Sequence, residues 1–145
     1  MTHEDEGHYA NKHPRDRKVA PEIAEAVKER APEGSIACAA AFKVVGGLNV
    51  EPSEVGFTID SLEIKITHCQ MGIFGYPEGK RPIKPPESVP DDLKKAIEGS
   101  LVEGKLPCKR AWEVAEEFRI GKMDVSSACE TLKVKVSKCQ LGAFK

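Results

Sequence analysis

The sequence has no apolar run long enough to cross a bilayer, and its opening, MTHEDEGHYANKHPRDRK, lacks the apolar core of a secretory leader. These two absences argue against a membrane-spanning helix and an exported chain, so a cytoplasmic protein with no membrane partner is expected. Cysteine is scarce and oddly counted: there are five, with no closely spaced CxxC pair. That excludes a disulfide framework and a ribbon-type zinc site. No nucleophile, base and orienting group occur together, and no enzymatic activity is expected. Net charge is nearly absent, at −1 over 145 residues.

What the sequence does contain is a repetition. LEIKITHCQMGIF (Leu62 to Phe74) returns as LKVKVSKCQLGAF (Leu132 to Phe144), and a constant offset of 70 extends the match back to Glu22 without a gap. Ala26, Glu33, Gly34, Cys38, Ala41, Val44, Val55, Leu62, Lys65, Cys69, Gln70, Gly72 and Phe74 are each identical 70 residues later. Those 13 identities compare with roughly 3 or 4 expected from composition alone. Conservative pairs such as Phe42 with Trp112 and Ile64 with Val134 add to them. Two copies at this period make a duplicated small domain rather than a solenoid.

The expected organisation is a flexible arm over residues 1–21, a first copy over 22–74, a proline-rich connector over 75–91 and a second copy over 92–145. His3, His8 and His13 lie in the arm at a spacing that fits neither a helical face nor a ligand motif, so they read as a solvated tail. The near-zero net charge conceals an asymmetry between copies. Residues 22–74 hold four basic and eight acidic residues, whereas residues 92–145 hold eleven basic and eight acidic. Only the second copy is suited to polyanions.

Within each copy the same periodicities recur. Ile23, Ala26 and Val27, matched by Leu93, Ala96 and Ile97, define the buried face of a first helix. Glu33-Gly34 and Glu103-Gly104 break the chain. Cys38, Ala41, Phe42, Val45 and Leu48, matched by Cys108, Ala111, Trp112, Ala115 and Phe118, form the stripe of a second helix. A third begins near Pro52, where proline is preorganised, with Val55, Ile59 and Leu62, or Val125, Cys129 and Leu132, inward. EIKIT and KVKVS then alternate as short strands, and the alternation slips at Thr67-His68, which predicts a turn or bulge.

The segments VVGGLNVEPSEVGFTIDSL and VAEEFRIGKMDVSSACETL resemble a helix-turn-helix unit, with Leu48-Asn49-Val50 and Phe118-Arg119-Ile120 as the connections. Asn49 and Arg119 stand where many such motifs place glycine. The resemblance implies a mainly α fold with short β-strands: a duplicated three-helix, helix-turn-helix-like unit, with the strand as a rudimentary wing. Units of about 50 residues are marginal alone, so pseudo-twofold packing of the copies is expected.

The function implied by the resemblance is DNA binding in transcriptional regulation, with double-stranded DNA contacted mainly by the second copy. Its nucleic-acid residues would be Lys109, Arg110, Lys122, Ser126, Ser127 and Lys133, with Lys109 and Arg110 placed for phosphates. The first copy would present Ser53, Glu54, Thr58 and Asp60, a poor match to a phosphate backbone, and would mediate self-association or bind a protein partner. The alternative is a protein-interaction or scaffold module of the same fold without DNA binding.

A third reading is a cysteine-based metal or redox sensor. Cys38 and Cys69 recur as Cys108 and Cys139, and two such pairs could form a four-thiolate zinc site. The preferred account makes these thiols core fillers and requires no cofactor. His68, beside Cys69, becomes Lys138 in the second copy, so no cysteine–base dyad is kept.

Overall fold

A computed structural model describes residues 8–145. The fold is mainly helical, with short strands, and is compatible with a helix-turn-helix-like arrangement. The elements are α1 (Pro21–Glu29), β1 (Ser35–Ala37), α2 (Cys38–Leu48), α3 (Pro52–Ser61), β2 (Lys65–Thr67), α4 (Asp91–Glu98), β3 (Leu106–Pro107), α5 (Cys108–Phe118), α6 (Lys122–Leu132) and β4 (Val136–Ser137). A short 3-10 turn, Tyr9–Lys12, precedes them. α2 and α5 start and stop 70 residues apart.

The contacts divide the chain into two compact units. One holds the chain up to Cys69 together with Gln140–Phe144; the other holds Gln70–Cys139 and Lys145. The division does not coincide with the sequence repeat. Residues 70–74 complete the second unit, and residues 140–144 complete the first. His68 and Lys138, with φ of 49° and 48°, turn the chain as it leaves β2 and β4. This is where the alternation slips in the sequence.

In the first unit Ile23 and Val27 of α1, Ala41 and Val44 of α2, and Val55 and Ile59 of α3 are all buried. β1 pairs in parallel with β2, placing Ile36 beside Ile66, both buried. The strand expected as a rudimentary wing is therefore one of a parallel pair, its partner only three residues long. That partner was not evident from periodicity, because SIA is too short to show alternation. The second unit repeats the plan: Leu93, Ile97, Ala111, Val114, Val125 and Cys129 are buried, and β3 pairs in parallel with β4.

The connections between helices are set by left-handed residues. Asn49 ends α2 at φ 53°, ψ 50°, and Arg119 ends α5 at φ 54°, ψ 44°. Arg119 N–H donates to the carbonyl of Glu116, and Ile120 N–H to that of Ala115, a Schellman closure. α3 and α6 end the same way, at Glu63 (φ 54°) and Lys133 (φ 58°). Ile64 N–H reaches the Ile59 carbonyl and Val134 N–H reaches that of Cys129. An apolar residue follows each left-handed one: Val50, Ile64, Ile120 and Val134. Non-glycine residues carry all four positions although each pays about 1 kcal/mol for the conformation.

Gly56 is required for a different reason. A methyl group at that position would run into the backbone carbonyl of Leu141, which closes the first unit and is itself buried. Gly56→Ala should therefore destabilise about as much as Leu141→Ala, on the order of 2–5 kcal/mol for either in urea unfolding. Arg119 is exposed and has only its backbone at stake. Arg119→Gly should raise stability by about 0.5–1 kcal/mol, whereas Arg119→Val should lower it.

Candidate functional site

The third helices of the two units, the elements that would meet a partner in a helix-turn-helix protein, are in different states. Every residue of α3 from Val55 to Asp60 is buried. Thr58 and Asp60, expected on an open face, are 0% and 1% exposed. Residues 8–17, expected as part of a flexible arm, account for much of this. Backbone N–H groups of Tyr9 and Ala10 donate to the two carboxylate oxygens of Glu63, at 3.1 and 2.8 Å. Lys12 Nζ lies 3.1 Å from Asp60 Oδ2 and donates to the Gly142 carbonyl at 3.1 Å. His13 Nε2 is 2.7 Å from the same Asp60 oxygen, and its ring meets Phe57 edge-on. Arg17 pairs with Glu54 at 2.8 Å and stacks over Phe57. His13 is thus a structural residue, while His3 lies outside the described residues.

The arm is basic and α3 is acidic, and that complementarity is legible only once both are known to meet. Asp60 is where the arrangement is costly. Burial, the largest effect, raises its carboxyl above the ordinary aspartate range, although the bonds from His13 and Lys12 pull the other way. Its second oxygen, Oδ1, has no hydrogen-bond partner among the described residues.

The second unit places the expected nucleic-acid residues apart. Lys109 is exposed in the first turn of α5. Arg110 is engaged, with its guanidinium 3.1 Å from Glu113 and 3.3 Å from the Ser100 hydroxyl. Lys122, the first residue of α6, lies 4.5 Å over the Trp112 ring. Ser126, expected on the exposed face, is 2% exposed, and Ser127 is half-buried. Ser126 matches Gly56 at the offset of 70, the position that faces the closing segment in the first unit. Lys133 is exposed but follows the helix as its left-handed cap rather than lying on its face. The open edge of α6 carries Asp124 and Glu130. Asp124 accepts the Gly121 N–H at 2.8 Å, closing the start of the helix.

Beside α6 lies a groove that sequence reasoning did not identify. Its volume is about 460 Å³, and its lining mixes apolar Ile73, Cys129, Val134 and Val136 with the cations Arg81, Lys133 and Lys135 and with Ser126 and Glu130. Arg81 donates to the Gly72 carbonyl at 3.2 Å and to Glu130 at 2.7 Å. It therefore makes in the second unit the bridge that Lys12 makes in the first, since Glu130 and Gly72 match Asp60 and Gly142 at the same offset. Thr131 donates to the Pro86 carbonyl at 2.6 Å, so the proline-rich connector also touches α6.

Cys38, Cys69 and Cys108 are buried and Cys139 half-buried, and no group of three or more His, Cys, Asp or Glu among the described residues is placed to hold a metal ion. The parallel register does bring Cys38, at the start of α2, and Cys69, just past β2, to the same end of the sheet. Burial, with the nearby Glu130 charge behind it, pushes the Cys129 thiol up to about 11, which keeps it protonated at neutral pH. No helix among the described residues is long and apolar enough to cross a membrane. No family model, curated protein or solved structure matches the chain.

Asp60 makes a pH prediction with a defined sign. A carboxyl raised on folding favours the folded state at low pH, and that contribution is lost as pH rises through the raised value. Asp60→Asn keeps the shape and removes the charge. Between about pH 4 and pH 7 the stability difference should move in favour of the variant as pH rises. A difference that is flat, or that favours the wild type increasingly, would show that Lys12 and His13 outweigh the burial.

Proposed function

We propose that the chain is a protein-interaction module built on a helix-turn-helix-like scaffold. The carrying observation is the state of its third helices. α3 is enclosed from Val55 to Asp60, and the open edge of α6 is acidic, with Ser126 buried. Base reading calls mostly for Arg, Lys, Asn or Gln directed from that helix into the major groove, and of these α6 has only Lys122, at its first position and over the Trp112 ring. Carboxylates at Asp124 and Glu130 oppose approach of a phosphate backbone. What the chain offers instead is a concave, apolar-sided groove, the kind of surface that recognises a side chain. No catalytic role is part of this reading.

A second reading keeps double-stranded DNA as the partner and a regulatory role. Lys109 and Lys122 favour it, because both stand at helix N-termini, where backbone N–H groups also attract phosphate. In that reading the wing is reduced to β4 and the second unit supplies most of the contacts.

Titration of a fluorescent random-sequence duplex separates the two. At about 0.15 M salt the interaction module should bind no more tightly than about 10⁻⁴ M, the weak end of non-specific association. Lys109→Ala combined with Lys122→Ala should leave that value unchanged. Micromolar binding that weakens steeply with salt and is lost in the double variant would instead establish the DNA reading.

A further inference from the structure

We propose that the groove beside α6 docks an acidic peptide segment of a partner protein, anchored by an aromatic side chain; this rests on the interaction reading above. The first unit supplies the argument, because there the corresponding place is filled by chain. Lys12 bridges Asp60 and the Gly142 carbonyl, and the turn that carries Lys12 brings Tyr9 into the interior, 2% exposed, with Lys12 Nζ 5.8 Å from its ring centroid. In the second unit Arg81 makes the same bridge, to Glu130 and the Gly72 carbonyl. Yet the stretch that carries Arg81, residues 77–82, is exposed throughout, and no aromatic residue lines the groove. The bridge is present without the ring, leaving the cavity of about 460 Å³.

One charge reversal defines the occupant. Glu63 receives the backbone N–H groups of Tyr9 and Ala10. The matching residue, Lys133, holds the same left-handed cap position but has only donors to offer. An occupant must therefore present acceptors where the arm presents donors. Lys133 and Lys135 are exposed, and Arg81 stands with them, its charge shared with Glu130. Carboxylates answer those cations, and the apolar lining residues Ile73, Cys129 and Val134 take the ring. A peptide rather than a small acid follows from the first unit, where the hold falls on consecutive backbone groups.

The probe is a capped seven-residue peptide with one tyrosine between two runs of three glutamates, titrated into the isotope-labelled full chain. Amide resonances of Ile73, Cys129 and Val134 should shift. Replacing the probe's tyrosine by alanine, or making Lys133→Glu in the protein, should each weaken binding at least tenfold. Glutamate is accommodated at the left-handed cap, as Glu63 shows, so the variant is expected to fold. Shifts that fall elsewhere, an absence of shifts, or binding indifferent to Lys133→Glu would overturn the proposal. A short DNA duplex added in the same experiment reports separately: salt-sensitive shifts at Lys109 and Lys122 would overturn the interaction reading, whatever the peptide does at the groove.

Discussion

The left-handed residue that closes each of α2, α3, α5 and α6 is the constraint from which the architecture follows. By stopping the helix within one residue and turning the next apolar residue inward, it fixes where the following element starts. After α2 and α5 that element is the third helix; after α3 and α6 it is the short strand that lies beside β1 or β3. The same constraint places a side chain outside the helix at a defined point. Glu63 and Lys133 are these side chains, and each borders the face on which its unit receives, or leaves room for, another segment. Because the backbone conformation is paid for by the turn, the side chain at that position is open to change. Asn, Glu, Arg and Lys all occur in it.

That freedom explains how two units with the same core have different surfaces. In the first, residues 9–17 meet three carboxylates: Tyr9 and Ala10 donate to Glu63, Lys12 pairs with Asp60 and Arg17 with Glu54. Burying Asp60 is unfavourable in itself, and its position is tolerable because Lys12 and His13 reach the same oxygen. In the second unit the carboxylate at the matching place, Glu130, remains exposed and pairs directly with Arg81, which is exposed as well. An exposed pair of this kind contributes little to stability. The first unit has therefore invested in closing its face, whereas the second has not.

Much of the fold was legible in the sequence because the copies constrain one another. Positions that stay apolar at the offset of 70, such as Val55 with Val125 and Ile66 with Val136, lie in matching elements, and both third helices were placed within a residue of where they occur. The irregularity at Thr67-His68 was visible as a break in alternation. Three features were not legible. β1 and β3 are too short to have a period. The assignment of residues 70–74 and 140–144 to opposite units depends on a contact, Leu141 against Gly56, that no local pattern encodes. The packing of residues 8–17 has no periodicity of its own and is held by charge and by backbone N–H groups. Ser126 was misplaced because helical spacing alone gives it to the open face, whereas it matches Gly56, which faces the closing segment in the first unit.

The site was less legible than the fold, and the cause is physical. Sequence reasoning sought cations on a helix face, yet Arg110 is paired with Glu113, and Lys133 belongs to a cap. The useful signal lay in a comparison not of similar positions but of one that differs while its surroundings agree. Cys129, Val134, Lys135 and Val136 match Ile59, Ile64, Lys65 and Ile66 in character, whereas Lys133 opposes Glu63. A reversal at a left-handed position alters what the surface can receive without altering the turn beneath it. The first unit has acceptors that bind the donors of its own chain, and the second has donors beside an apolar hollow. The two faces therefore differ in charge over a shared backbone plan, a difference of the kind by which specificity arises when shape is shared and charge is not.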